Sequence, residues 1–165
     1  MMNEAEQKLL GFRAHIDAID EQISQLLLDR CKVVRNVAAL KAAHWPADCH
    51  IRSGREGQMH RAIAARFKGT DIPPAIAITI WRQLIGAATQ LESPLTIATL
   101  SSADHHPWLA REYFGVNVSI TTHASLAELL ESIAQKRCNI ALLPVPIGVH
   151  WHDAAALHKA GLKLF

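Results

Sequence analysis

Apolar residues recur alternately three and four apart along the first part of the chain: Leu9, Phe12, Ile16, Ile19, Ile23, Leu26, then Val33, Val37 and Leu40. This is the heptad rhythm of a helix packed along its length, and it predicts one helix from Asn3 to about Ala43. Arg30 stands in the run where another apolar residue is due. A guanidinium on such a seam loses its water unless an anion or a wet pocket meets it, so Arg30 reads either as a snorkelling or ion-paired structural residue or as an anion ligand.

The other cations favour the second reading. Lys41 lies eleven residues beyond Arg30, almost a whole number of helical turns, so both share a face roughly 16 Å apart along the axis. Arg13 precedes Arg30 by seventeen residues, roughly 25 Å on a straight helix. One small ligand cannot touch both Arg13 and Arg30 of the same helix. If all three serve one anionic pocket, Arg13 comes from a second copy of the chain.

Pro46 ends the first pattern, and a second helix is predicted from near Ile51 to Phe67, weakened at its start by Gly54 and Gly57. Lys68-Gly69-Thr70-Asp71 stops it, and Ile72-Pro73-Pro74 opens a third helix that ends at Ser93-Pro94, with Ile76, Ile80, Trp81, Leu84, Ile85, Ala88 and Leu91 on its apolar face. From Leu95 the rhythm changes. Short β-branched runs at Leu95–Leu100, Val116–Thr121 and Asn139–Leu143 alternate with helical patterns at Pro107–Phe114 and Ser125–Lys136, and Leu162–Phe165 reads as one more strand. The pattern therefore divides the chain into a helical domain, residues 1–93, and a small α/β segment with a parallel sheet, residues 94–165.

Composition narrows the partners. The formal net charge of +2 is small and its cations are dispersed, which argues against nucleic acid and for small molecules. No apolar run reaches membrane-spanning length, and the opening Met-Met-Asn-Glu-Ala-Glu lacks a basic region followed by an apolar one. Cys31, Cys49 and Cys138 have no paired or metal-type spacing, so the expected setting is the cytoplasm with reduced thiols. His105-His106 and His150-x-His152 with His158 lack a cysteine or carboxylate at a recognised ligand spacing, so no metal is expected.

The stretch Phe12-Arg13-Ala14-His15-Ile16-Asp17-Ala18-Ile19-Asp20-Glu21-Gln22-Ile23, with Leu26-Leu27-Leu28-Asp29-Arg30, Val37-Ala38, Lys41, Arg55-Glu56 and Ile80-Trp81-Arg82-Gln83-Leu84-Ile85, resembles the all-helical class of chorismate mutase. The resemblance covers about residues 9 to 92. It implies a three-helix protomer in an intertwined homodimer, no cofactor, and the conversion of chorismate to prephenate in aromatic amino-acid biosynthesis. The implied site has Arg13 of one chain joining Arg30, Lys41, Arg55, Glu56, Ala88 and Glu92 of the other, with Arg52 at the mouth. By the same resemblance Arg13 and Arg30 bind the substrate carboxylates, Lys41 faces the ether oxygen and Glu56 accepts from the ring hydroxyl.

Three positions leave the family pattern: Glu92 stands for the usual glutamine, Ala88 for a frequent serine, and Arg52 for the usual aspartate. Residues Thr96 to Pro146 resemble, more faintly, the opening of a prephenate dehydratase domain, through Thr96-Ile97-Ala98, Ala110-Arg111-Glu112-Tyr113-Phe114-Gly115 and Asn139-Ile140-Ala141-Leu142-Leu143-Pro144. Ser101-Ser102-Ala103-Asp104 replaces the glycine-rich turn of that family, and its Thr-Arg-Phe or Thr-Arg-Asp tripeptide is missing, so dehydratase activity is not expected. Two rival functions remain on this fold, an isochorismate pyruvate lyase and a non-catalytic regulatory or ligand-binding dimer.

Overall fold

A computed structural model describes residues 3–44 and 53–144. They fall into two units, one on each side of the gap.

The first unit is the helix α1, Glu4–His44. Its start is a reciprocal cap: the Asn3 side chain accepts from the Glu6 amide at 2.8 Å, and the Glu6 carboxylate accepts from the Asn3 amide at 2.7 Å. Acidic residues in the first turn and Lys41 and His44 in the last complement the helix dipole. No residue of α1 is buried. The heptad residues Phe12, Ile16, Ile19, Ile23 and Leu26 all stand exposed in the single chain, Phe12 by 69% and Leu26 by 68%. Leu27, Arg30, Cys31, Val34, Ala38 and Lys41 form a separate, half-buried stripe, one position off the predicted seam apart from Arg30.

The second unit begins with α2, Ser53–Phe67, and α3, Pro74–Glu92. Gly69, at φ +78°, reverses the chain between them, and the Thr70 hydroxyl donates to the Phe67 carbonyl at 3.0 Å. Phe67 and Trp81 meet edge to face at 6.1 Å, and Ile63 and Ala77 are buried. Then follow β1, Thr96–Leu100; α4, His106–Phe114; β2, Ser119–His123; α5, Leu126–Ala134; and β3, Ile140–Ala141. The strands form a parallel sheet in the order β2-β1-β3. The fold class expected from the sequence is the one observed: helices through residue 92, then a small parallel sheet with helices.

Alternation along β1 builds two cores. Leu95 and Ile97 pack with Ala110 of α4 and with Val118, and Ala98 packs with Leu129 of α5 and with Cys138. Asn139 joins β3 to the start of β1, accepting from the Thr96 amide at 2.8 Å and donating its own amide to the Thr96 carbonyl at 2.9 Å. The second strand starts at Ser119 rather than at Val116, because Gly115 (φ +98°) turns the chain and the Val118 amide donates back to the Gly115 carbonyl at 3.2 Å. The expected strand at Leu162–Phe165 lies outside the described residues.

Candidate functional site

The expected site residues divide between the two units. On α1, Arg30 and Lys41 share the half-buried stripe, as the eleven-residue spacing requires, and Arg13 lies on the wholly exposed N-terminal half. Arg55 and Glu56 sit near the start of α2, the first exposed and the second half-buried. Ala88 is buried on α3, and Glu92, half-buried, is its last residue. Arg52 lies outside the described residues, as do Cys49, His150, His152 and His158.

Within the second unit, Glu56 is gathered into a narrow cleft, open to solvent and of about 10 Å³, with Ile85, Gly86 and Thr89 of α3, Leu95, and Tyr113 and Phe114 of α4. Burial against these mostly apolar neighbours pushes the Glu56 carboxyl above its ordinary range. One turn along α2, His60 is held below the usual imidazole range by burial and by the Arg82 guanidinium. His60 Nε2 and Arg82 Nε are both buried without a hydrogen-bond partner. The Arg82 guanidinium stands 5.7 Å over the Tyr113 ring, a cation–π contact. Burial, and next the Glu56 charge, raise the Tyr113 phenol above its ordinary range, while Arg82 acts in the opposite direction.

The family resemblance pointed to Glu56 as a site residue but not to Tyr113, Thr89 or Arg82 beside it. Tyr113 reads in sequence as part of the end of a short helix stopped by Gly115. The signal that could have found it is Gly86, a glycine inside a helix, where close approach of another backbone is the common reason. A Cβ there would lie 2.7 Å from the Phe114 carbonyl carbon and 2.9 Å from the Gly115 Cα. The Gln83 side chain fixes the same contact by accepting from the Val116 amide at 3.0 Å.

Chemically, the described residues offer a stripe with two cations on α1 and a cleft with one carboxylate against an apolar wall. Among the described residues no three histidines, cysteines or carboxylates converge as a metal site, and no helix is long and apolar enough to cross a membrane.

Comparison with known proteins matches residues 12–93 to the family described as chorismate mutase type II. A bifunctional chorismate mutase/prephenate dehydratase of Stutzerimonas stutzeri is 28% identical over 148 residues, covering 87% of this chain and 40% of that protein. One of Aquifex aeolicus (strain VF5) is 28% identical over 144 residues, 84% of this chain and 39% of the relative. A third, of Pseudomonas aeruginosa, is 26% identical over 144 residues, 85% of this chain and 39% of the relative. The chain thus spans about 40% of the length of these relatives, and alignments of 144 and 148 residues run past the helices into the α/β segment. No solved structure matches the chain. With the helices, the cationic spacing and the Glu56 cleft in place, residues 12–93 of this chain belong to the chorismate mutase type II family.

Proposed function

We propose that this chain is a chorismate mutase working as a homodimer, in the cytoplasm, on the route to aromatic amino acids. The observation that carries the reading is the placement of Arg30 and Lys41 on one half-buried stripe of α1, inside the segment that belongs to the mutase family. The rearrangement breaks a C–O bond and forms a C–C bond within one molecule, so it needs neither nucleophile nor proton transfer. Catalysis is then restraint of the substrate in a reactive conformer together with stabilisation of the charge that develops.

Arg30, and Arg13 of the second copy, hold the two substrate carboxylates, where a planar guanidinium meets a carboxylate with two hydrogen bonds. Arg55 adds positive charge from the start of α2, and Arg52 stands at the mouth. Lys41 faces the ether oxygen, on which negative charge grows as the C–O bond lengthens, and Glu92 serves that oxygen when protonated. Glu56, ionised, accepts from the ring hydroxyl, and Ala88 leaves apolar wall where a serine would bond. The exposed heptad of α1 supports the dimer: five large apolar side chains in one row are an unusual surface for a chain that works alone.

No dehydratase activity belongs to this reading. The strand end that would carry the glycine-rich turn is Ser101-Ser102-Ala103-Asp104.

The test is a turnover assay on the purified chain with chorismate and isochorismate side by side. Prephenate from chorismate is the expected result. Pyruvate released from isochorismate overturns it in favour of a lyase. Tight binding of a bicyclic dicarboxylate transition-state analogue without turnover of either substrate overturns it in favour of a binding dimer.

A further inference from the structure

The family segment ends at residue 93, yet the cleft that holds Glu56 is lined also by three residues beyond it, Leu95, Tyr113 and Phe114. Ile85 and Thr89 form one side, and Tyr113 and Phe114 of α4 form the other. We propose that α4 is a wall of the mutase site and that Tyr113 is a positioning residue for Glu56, so that the α/β segment is a working part of the mutase rather than an appendage. The inference rests on the mutase reading given above.

Independent contacts place α4 there. The backbone at Phe114 and Gly115 seats against Gly86 with no room for a Cβ, the Gln83 side chain holds the Val116 amide at 3.0 Å, and the Arg82 guanidinium lies 5.7 Å over the Tyr113 ring. Seats at Tyr113 and just after it hold its backbone beside the cleft. Its phenol responds to the charge of Glu56, which puts the two groups within electrostatic reach.

Tyr113 forms one side of the cleft and shields the half-buried Glu56 carboxylate in part from water, while its oxygens stay available for a substrate hydroxyl. An acceptor held this way bonds more strongly than one in bulk water, because competing solvent is reduced and the local dielectric is lower. Burial raises the Glu56 carboxyl above its ordinary range, and titratable or charged groups stand near it. Arg55 and His60 lie on its own helix, Arg82 faces the cluster from α3, and Tyr113 faces it from α4.

The test uses the full chain with glutamate carboxyl groups labelled with 13C, Glu56 being assigned by Glu56→Gln. Its titration is followed by NMR without substrate in wild type, Tyr113→Ala and Tyr113→Phe. Removing the ring is expected to lower the Glu56 midpoint toward that of an exposed carboxylate, and phenylalanine, which keeps the ring, is expected to restore the wild-type midpoint. In chorismate turnover, Tyr113→Ala is expected to lose about tenfold in kcat/KM, the scale of loosening one charged hydrogen bond, and to move the acidic limb of its pH profile downward. Tyr113→Phe is expected to recover both.

An unchanged Glu56 midpoint in a folded Tyr113→Ala protein overturns the proposal. Should that variant fail to fold, Tyr113→Leu, which removes the ring but keeps an apolar side chain, is read the same way. Because the NMR measurement needs no substrate, absence of turnover in wild type overturns the mutase reading separately from the Tyr113–Glu56 link.

Discussion

The Phe114 carbonyl lies against Gly86 so closely that a Cβ on that glycine would stand 2.7 Å from the carbonyl carbon. A glycine inside a helix forfeits about 1 kcal/mol relative to alanine, so α3 gives up helix propensity to let α4 approach. Gly86→Ala is therefore expected to destabilise the chain, by about 2 kcal/mol, since backbone rather than a flexible side chain has to yield. Gly11→Ala, on α1 with nothing within 4 Å of the new methyl, is expected to stabilise by up to about 1 kcal/mol. Urea midpoints of the two variants test the contrast; two shifts of the same sign would contradict it.

The exposed heptad of α1 yields a second expectation. Ile19 is 44% exposed in the single chain, so a charge there costs little if the chain works alone. If a second copy packs on that face, Ile19→Glu places a carboxylate inside an apolar seam and is expected to split the dimer. Light scattering coupled to size exclusion reads the result directly. A mutant that keeps the wild-type mass, whether dimer or monomer, refutes the pairing through this face.

Lys41→Ala is expected to lower kcat by about two to three orders of magnitude, the scale of losing one preorganised donor to a developing negative charge. It is also expected to leave the far-ultraviolet circular dichroism unchanged, because Lys41 sits in the last turn of a helix none of whose residues is buried. Near-normal turnover would remove Lys41 from the site.

How much of this was legible in the sequence depends on which force set each feature. The three long helices were, because heptad spacing, Gly69 and Pro73-Pro74 all act locally. The parallel strands were legible as a class, but β2 begins three residues later than patterning suggests, since Val116 is spent on the turn after Gly115 and stands 65% exposed. The shared face of Arg30 and Lys41 follows from helical periodicity alone. What patterning could not supply is the meeting of Glu56 with Tyr113. Those residues lie 57 positions apart, and only tertiary packing through Gly86 joins them.

Glu56 couples stability to pH. Burial holds its carboxyl above the ordinary range, so the folded chain binds the proton more readily than the unfolded chain does. The stability from that proton is fully present below the unfolded value and is lost as pH rises through the folded one. Glu56→Gln, neutral at every pH, is accordingly expected to unfold at higher urea than wild type at neutral pH, with the gap closing in acid. The same substitution is expected to depress mutase turnover, which separates a site residue from a stabilising one. A wild type that stays the more stable at neutral pH would speak against the burial argument.

Glu92 offers the sharpest kinetic test, because the family pattern puts glutamine there and the two side chains differ in one chemical respect. A glutamine amide donates to the ether oxygen at any pH, whereas a carboxyl donates only while protonated and repels the growing negative charge once ionised. Burial holds the Glu56 carboxyl above its ordinary range, so its protonation is expected to remove the acceptor for the ring hydroxyl and lower wild-type kcat on the acid side. Glu92→Gln is expected to raise kcat at neutral pH by about tenfold, replacing a repulsive neighbour with a donor. The limb governed by Glu56 is expected to survive unchanged, since that residue is untouched. Steady-state rates of prephenate formation for the two proteins across the weakly acidic to neutral range decide the matter, and equal, parallel profiles would take Glu92 out of the catalytic site.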